Sequence, residues 1–553
     1  MAQTTFSELS CSNCVTSDNI HLHQVYWLLG PFVLTAIAFG GILVPKVNLI
    51  LGLICREYFS DRQLADPSFA FLPIDFNEDN PQCRIKEVQA RVSMFTLACS
   101  LISGLLSAII APKLGALSDR YGRKMILCIT TCGMLCGEII TIITANFPET
   151  INVNFILLSY GFDGLCGSFI ASTALSHSYA TDCTPPNRRN VVFGYFHGCL
   201  FTGVALGPLI AAYVVKWTGT VVSVFYIALS FHIFFLLFLI LFIPESLSKS
   251  RQMYAREKHR QELEALGPAG HWMVRLRSFN LFAPLKVLYP TGPGSSPAIR
   301  RNLLALATVD TIIFGLAMGA MSCVILYINY EFGWDTSDQS IFIAVVNICR
   351  VFTLVIILPG LNRAFRGPPK ASAAPDAGAA PPPPPQNVGT DGFELAVIRA
   401  AIAFDALGFL GYALARHGAV FMFAGAVTSV GGMGSPTLQA ALTKHVRPDQ
   451  VGQLLGAMGL LHAVARVVSP SIFNSIYAVT VGRYTQAVFV VLASMFGVAF
   501  VVAWFAKPGG EFALSDCRLM RMLTCVVKIE NDGTPELESP VDLLEGDEAT
   551  FGI

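Results

Sequence analysis

Charge is scarce in this chain. Of its 553 residues only 13% are Asp, Glu, Lys or Arg, against about 25% in a soluble protein. The charges present cancel to a formal net of +0, which leaves no electrostatic case for nucleic acid as a partner. The sequence has no Walker phosphate loop, no His-Glu-x-x-His and no convincing nucleophile elbow, which disfavours an ATP-driven pump or a membrane hydrolase. Its 15 cysteines form no metal framework, because the Cys11-x2-Cys14 spacing has no second pair. No metal, cofactor or enzymatic activity is expected. Residues 1–25 are polar, lack Lys and Arg, and run into a long apolar stretch, so no cleavable signal peptide is expected.

Apolar length is what the chain has. It is 53% hydrophobic with a mean hydropathy of +0.57. Its 40 Phe and 46 Gly suit lipid-facing surface and close helix packing. Hydropathy predicts an all-α integral membrane protein with about twelve spans of about twenty residues each. They fall near 26–53, 93–114, 125–145, 154–178, 191–216, 221–243, 303–329, 339–359, 394–415, 418–442, 452–480 and 484–506. The even-numbered loops carry most of the basic residues: Arg120, Arg123 and Lys124, then Arg188 and Arg189, then a long basic segment after span 6, then Arg363 and Arg366, then Lys444 and Arg447. By the positive-inside rule those loops face the cytoplasm. The domain reading is a tail at 1–25, six spans at 26–245, a polar linker at 246–302, six spans at 303–507 and an acidic tail at 508–553. The linker holds an expected amphipathic helix at Met253–Leu266, and 360–393 reads as a low-complexity, proline-rich cytoplasmic loop.

Between spans 2 and 3 stands Gly115-Ala-Leu-Ser-Asp119-Arg120-Tyr-Gly122-Arg123-Lys124. Glycines there let two helices turn tightly and approach closely. An acid there can bond the N-terminal amides of a neighbouring helix, or pair with an arginine, and so hold one conformation shut. This loop resembles the one between helices 2 and 3 of the major facilitator superfamily. Gly194, Gly203, Gly207 and Pro208 in span 5 resemble that superfamily's antiporter motif, with Ala211 and Ala212 replacing its last two glycines. Asp182 and Arg188 around the fourth loop resemble the matching loop of tetracycline:proton antiporters and of animal proton-coupled folate transporters. Pro244-Glu245-Ser246 and Gly434–Gln439 extend the likeness. The resemblance implies two six-helix bundles, substrate bound between them near mid-membrane, and spans 3, 6, 9 and 12 lying outside the cavity. One departure stands out: where drug:proton antiporters carry an arginine in span 4, this chain has Tyr160, with Asp163 beside Gly164.

A charge at mid-bilayer costs about 2.5–3.5 kcal/mol on insertion scales, so such residues usually have partners or duties. Asp163, Asp310, Arg350 and Arg466 lie in spans that line the cavity of superfamily members and are candidate substrate or proton sites, with His197 beside them. Asp310 and Arg350 are also placed to form a static bridge. Glu138 and Asp405 read as structural, and Lys46 as a side chain snorkelling outward. Cys55 and Cys83 flank the first external loop and are a candidate disulfide.

The resulting expectation is a secondary transporter working by alternating access, monomeric, in a plasma or vacuolar membrane. Its partners would be the lipid bilayer, a small organic solute and protons. Proton-driven export leads; proton-coupled import and a non-transporting membrane nutrient sensor are the alternatives.

Overall fold

The computed structural model describes residues 9–66, 81–264, 283–291, 296–334, 336–367 and 389–509. Sixteen α-helices are formed by these residues. The first half runs α1 (Leu9–Ala65), α2 (Lys86–Tyr121), α3 (Arg123–Asn146), α4 (Phe155–Leu165), α5 (Ser168–Cys183), α6 (Arg189–Thr218) and α7 (Val222–Leu241). Then comes the linker helix α8 (Lys249–Glu264). The second half runs α9 (Pro297–Phe332), α10 (Thr336–Phe352), α11 (Leu358–Arg366), α12 (Gly392–Leu414), α13 (Gly418–Gly431), α14 (Gly434–Thr443), α15 (Val451–Thr480) and α16 (Ala487–Ala503). In-line pairs α4–α5, α10–α11 and α13–α14 each make one span, so the twelve expected spans are all present. Ten are long and apolar enough to cross a bilayer, and α12 and α16 complete the set. Helices satisfy their own backbone groups, the condition a chain must meet in hydrocarbon.

Two boundaries differ from those expected. The first helix begins at Leu9 rather than after residue 25, because nothing in 9–25 breaks it. The linker helix starts at Lys249, four residues ahead of Met253. Most of the proline-rich loop and of the acidic tail lies outside the described residues.

Two of the spans are broken in mid-course, and they occupy corresponding places in the two halves. Span 4 breaks at Gly167, whose φ of +86° is open to glycine, followed by Ser168 at +56°. Span 10 breaks between Gly431 and Gly434. Each half has its own apolar core: one around Leu28, Phe32, Phe193 and Phe196, the other around Leu306, Val309, Tyr327, Phe421 and Phe489. Within the first half α6 lies along α1, and a methyl group on Gly203 would overlap the Ala36 backbone. This is what the small residues of the span 5 motif permit. Beyond the end of α2 that lies away from the linker helix, a disulfide joins Cys55 to Cys83, with Cα atoms 5.5 Å apart.

Candidate functional site

The two halves meet through Asp119, at the end of the bundle that carries the linker helix α8. Its carboxylate accepts from the backbone N–H of Gly452 at 3.0 Å and of Gln453 at 2.9 Å. Those amides open α15 in the opposite half, where a helix leaves its first N–H groups unpaired and favours negative charge. The contact requires close approach, and a methyl on Gly115 would overlap the Gly452 carbonyl. Asp119 is oriented from behind by Arg123, whose Nη1 lies 2.6 Å away. Arg123 is fully buried and donates through Nε to Asp182 at 2.9 Å. Glu245 then caps α3, accepting from the backbone N–H of Arg123 at 2.7 Å and of Lys124 at 3.1 Å. Lys124 turns back to the Ile240 carbonyl at 2.9 Å, and the Arg120 carbonyl accepts from Arg256 of α8 at 2.8 Å.

The expected Asp182–Arg188 pair does not form. Asp182 sits on the last turn of α5 and faces Arg123 and, at 3.5 Å, Arg251 of the linker helix. Arg188 lies beyond the Pro185–Pro186 turn, which carries it away to the start of α6.

A second cluster occupies the matching place in the second half. Glu394, fully buried at the start of α12, binds Lys444 at 2.5 Å and Arg366 at 3.0 Å. Arg366 also bonds Asp391 and reaches across to the Asn187 carbonyl of the first half. Burial pulls the Lys444 ammonium below its usual range, against the pull of Glu394. Lys258 of α8 adds a bond to Asp449 at 3.2 Å, so the linker helix touches both halves.

Midway along the helices, the elements that follow the two breaks face one another. On α14, Ser435 donates to Asp310 at 3.3 Å and accepts from Gln439 at 3.4 Å. Asp310 takes His462 of α15 at 2.9 Å, whose ring stacks on Phe314 at 4.2 Å. Across the interface, fully buried His177 of α5 stacks on Phe193 at 4.2 Å and on His197 at 5.2 Å. Neither ring nitrogen of His177 meets a partner at bonding geometry, although the Gln439 side chain faces it. His197 bonds the Phe193 carbonyl at 3.0 Å and lies within electrostatic reach of Asp310 and His462.

One turn further along α15, Arg466 donates to Ser103 of α2 at 3.1 Å, and Ser103 donates to Asp163 at 2.8 Å. A cation from the second half thus reaches the acid of span 4 through one serine. Tyr160, the replacing residue, lies under the Lys46 ammonium at 4.5 Å. Lys46 also bonds Ser159 at 3.2 Å, so it turns inward and does not snorkel. Asp310 and Arg350 form no bridge. Arg350 lies over the Phe201 ring at 5.1 Å and senses the charge of Asp405.

The span 5 motif has two partners rather than one. Gly203 and Gly207 meet α1, whereas Gly194 meets Leu358 of the second half; Pro208 lies inside α6. Sequence reasoning missed His177, Ser103 and Glu394. The available signal for His177 was its place in Ser172–Thr181, a run of small and polar residues inside an otherwise apolar span.

Comparison with known proteins agrees with this arrangement. The family model of the Major Facilitator Superfamily matches residues 58–371. The chain is 30% identical over 492 residues to the MFS-type transporter avaJ of Aspergillus versicolor, covering 89% of each. It is 22% identical to the class H tetracycline resistance protein of Pasteurella multocida, covering 72% of this chain and 84% of that one. Among solved structures, the human organic anion transporter MFSD10 superposes with a TM-score of 0.62 at 18% identity, covering 87% of this chain and 99% of that one. Fold and site define a multi-pass integral membrane protein of the transporter class. The chain belongs to the Major Facilitator Superfamily.

Proposed function

We propose that this chain is a secondary active transporter that exports a small organic solute in exchange for protons. One observation carries the reading: two helices broken at corresponding places in the two halves bring His177, Gln439, Ser435, Asp310 and His462 together between them. Interrupted helices in matching positions of a repeat are the strongest structural pointer to a transporter's central site. With Asp119 holding α15, the cytoplasmic end is shut and the outward-facing state is favoured. The Asp310–His462 pair is the proposed proton carrier, since an acid and an imidazole at bonding distance share one proton whose loss or gain changes their hold on each other. Because His462 and Arg466 lie one turn apart on α15, a shift of that helix alters the partners of Asp310 and Asp163 together. The likeness to tetracycline:proton antiporters favours export.

Purified protein in liposomes with an imposed pH gradient tests this with a panel of small organic compounds that includes tetracycline. The expected result is uphill accumulation that collapses with the gradient. His462→Gln should keep solute exchange and lose accumulation by tenfold or about that much. Absence of flux for the whole panel rejects the transporter reading, and uptake with the opposite gradient dependence rejects export. Full accumulation by the variant moves the coupling role to Asp163.

A further inference from the structure

A groove between the start of α9 and the end of α16 takes part in neither the gate nor the central group. It is a largely open groove of about 510 Å3, and Tyr289, Arg300, Arg301, Leu304, Thr308 and Phe505 are among the residues that line it. The lining is ordered by depth. Arg300 and Arg301 belong to the opening turns of α9 at the cytoplasmic edge, while Leu304 and Thr308 follow toward the membrane interior. A rise of 1.5 Å per residue sets Thr308 about 10 Å deeper than Arg301.

The polar end is built to receive an anion. Arg300 is held by its Nε bond to the Pro290 carbonyl at 2.7 Å, with its guanidinium 5.2 Å from the Tyr289 ring centre. Arg301 is exposed and has no hydrogen-bond or ion-pair partner among the described residues. The N-terminus of α9, capped by Ser296, adds its partial positive charge. The deeper wall is apolar and open to lipid: Leu304 is 43% exposed and Phe505 59%.

A soluble anion has no use for the apolar half of this groove, and a neutral lipid has none for two arginines. We infer that the groove binds an anionic glycerophospholipid of the cytoplasmic leaflet. Its phosphate meets Arg300 and Arg301, and an acyl chain lies along Leu304, Thr308 and Phe505. Basic pockets between membrane helices on the cytoplasmic side recognise such headgroups.

Native mass spectrometry of the full chain, offered equimolar phosphatidylserine and phosphatidylcholine, tests the assignment. Phosphatidylserine should be retained in preference, and Arg301→Gln should cut that preference by about fivefold, the contribution of one arginine near a lipid surface. Arg301→Lys should keep it, which separates charge from any folding defect. Thr308→Trp, filling the deep end with both arginines intact, should weaken retention as well. Equal retention of the two lipids, or an unchanged preference in Arg301→Gln, overturns the inference. Displacement of phosphatidylserine by the same concentration of glycerophosphoserine or inorganic phosphate also overturns it, because the site would then be one for a soluble anion.

Discussion

In the first half the end of α2 is acidic at Asp119, the start of α3 basic at Arg123, and the end of α5 acidic at Asp182. In the second half the end of α11 is basic at Arg366, the start of α12 acidic at Glu394, and the residue after α14 basic at Lys444. Asp182 and Lys444 each stand four residues before the proline, Pro186 or Pro448, that opens a short 3-10 turn. The two clusters are thus laid out alike with their signs exchanged. The crossing contacts are exchanged too. An acid can hold the amides at a helix start, so Asp119 takes the N-terminus of α15. An arginine is repelled there, and Arg366 takes instead a carbonyl, that of Asn187, from the turn before α6. What the halves share is which element is bonded to which, with residue identity free to invert.

The largest expected effects come from removing the central charge of either cluster. Arg123→Gln leaves Asp119 buried without its cation and Asp182 with only the half-exposed Arg251, and Glu394→Gln leaves Lys444 buried without its acid. Breaking a buried pair from one side costs about 3–5 kcal/mol, so both variants should lose folded protein, read as thermal unfolding in detergent. Glu394→Gln/Lys444→Gln should recover part of the loss. The sign of the pH dependence follows from Lys444, whose folded pKa lies below its ordinary value of 10.5. The unfolded chain then binds more protons, so the Glu394→Gln deficit should shrink as pH rises toward that value. Wild-type stability in Glu394→Gln would show that the second cluster is no counterpart of the first.

This likeness was hidden in the sequence for a physical reason. Hydropathy marks the twelve spans because bilayer thickness fixes their length, and the Gly115–Lys124 loop is legible because Asp119 and Arg123 stand four residues apart in one short motif, even though the amides that Asp119 holds, those of Gly452 and Gln453, are far away in sequence. In the second cluster Arg366 and Glu394 are separated by a long proline-rich stretch, and the reversed signs remove any residue-by-residue echo. The central group is assembled from α5, α6, α9, α14 and α15, so its members were visible singly, as with Asp310 and His197, and their company was not. Asp182 with Arg188 failed for the converse reason: nearness along the chain was no guide once two prolines intervened.

Next in size are the crossing contacts. Asp119→Asn weakens two charge-assisted bonds, worth about 1.5–3 kcal/mol each in typical cases. That is enough to shift a bistable gate at least about tenfold. Arg366→Gln weakens its pairs with Glu394 and Asp391 within the second half but loses only one bond across the interface, to a peptide carbonyl, so its effect on the gate should be smaller. Site-resolved thiol labelling of a cysteine introduced at Ala440, a fully buried second-half residue packed into the first-half core, reads the opening. Faster labelling in Asp119→Asn than in Arg366→Gln is expected; the reverse order would place the main latch in the second half.

The smallest expected effect separates Arg188 from Arg251, the two arginines that compete on paper for Asp182. Arg251 is about half exposed and lies 3.5 Å from the carboxylate, so solvent screening leaves its pair worth about 0–1 kcal/mol. Asp182 keeps Arg123 in either variant, which limits the loss further. Arg188 has no bond to Asp182, and Arg188→Gln should stay within about 0.5 kcal/mol of wild type, as surface substitutions away from special contacts do. The sharper readout is coupling to Asp182. In a double-mutant cycle with Asp182→Asn, Arg251→Gln should be non-additive and Arg188→Gln additive. Additivity for Arg251 and coupling for Arg188 would restore the loop pair suggested by their nearness in sequence, and would detach the linker helix from the first cluster.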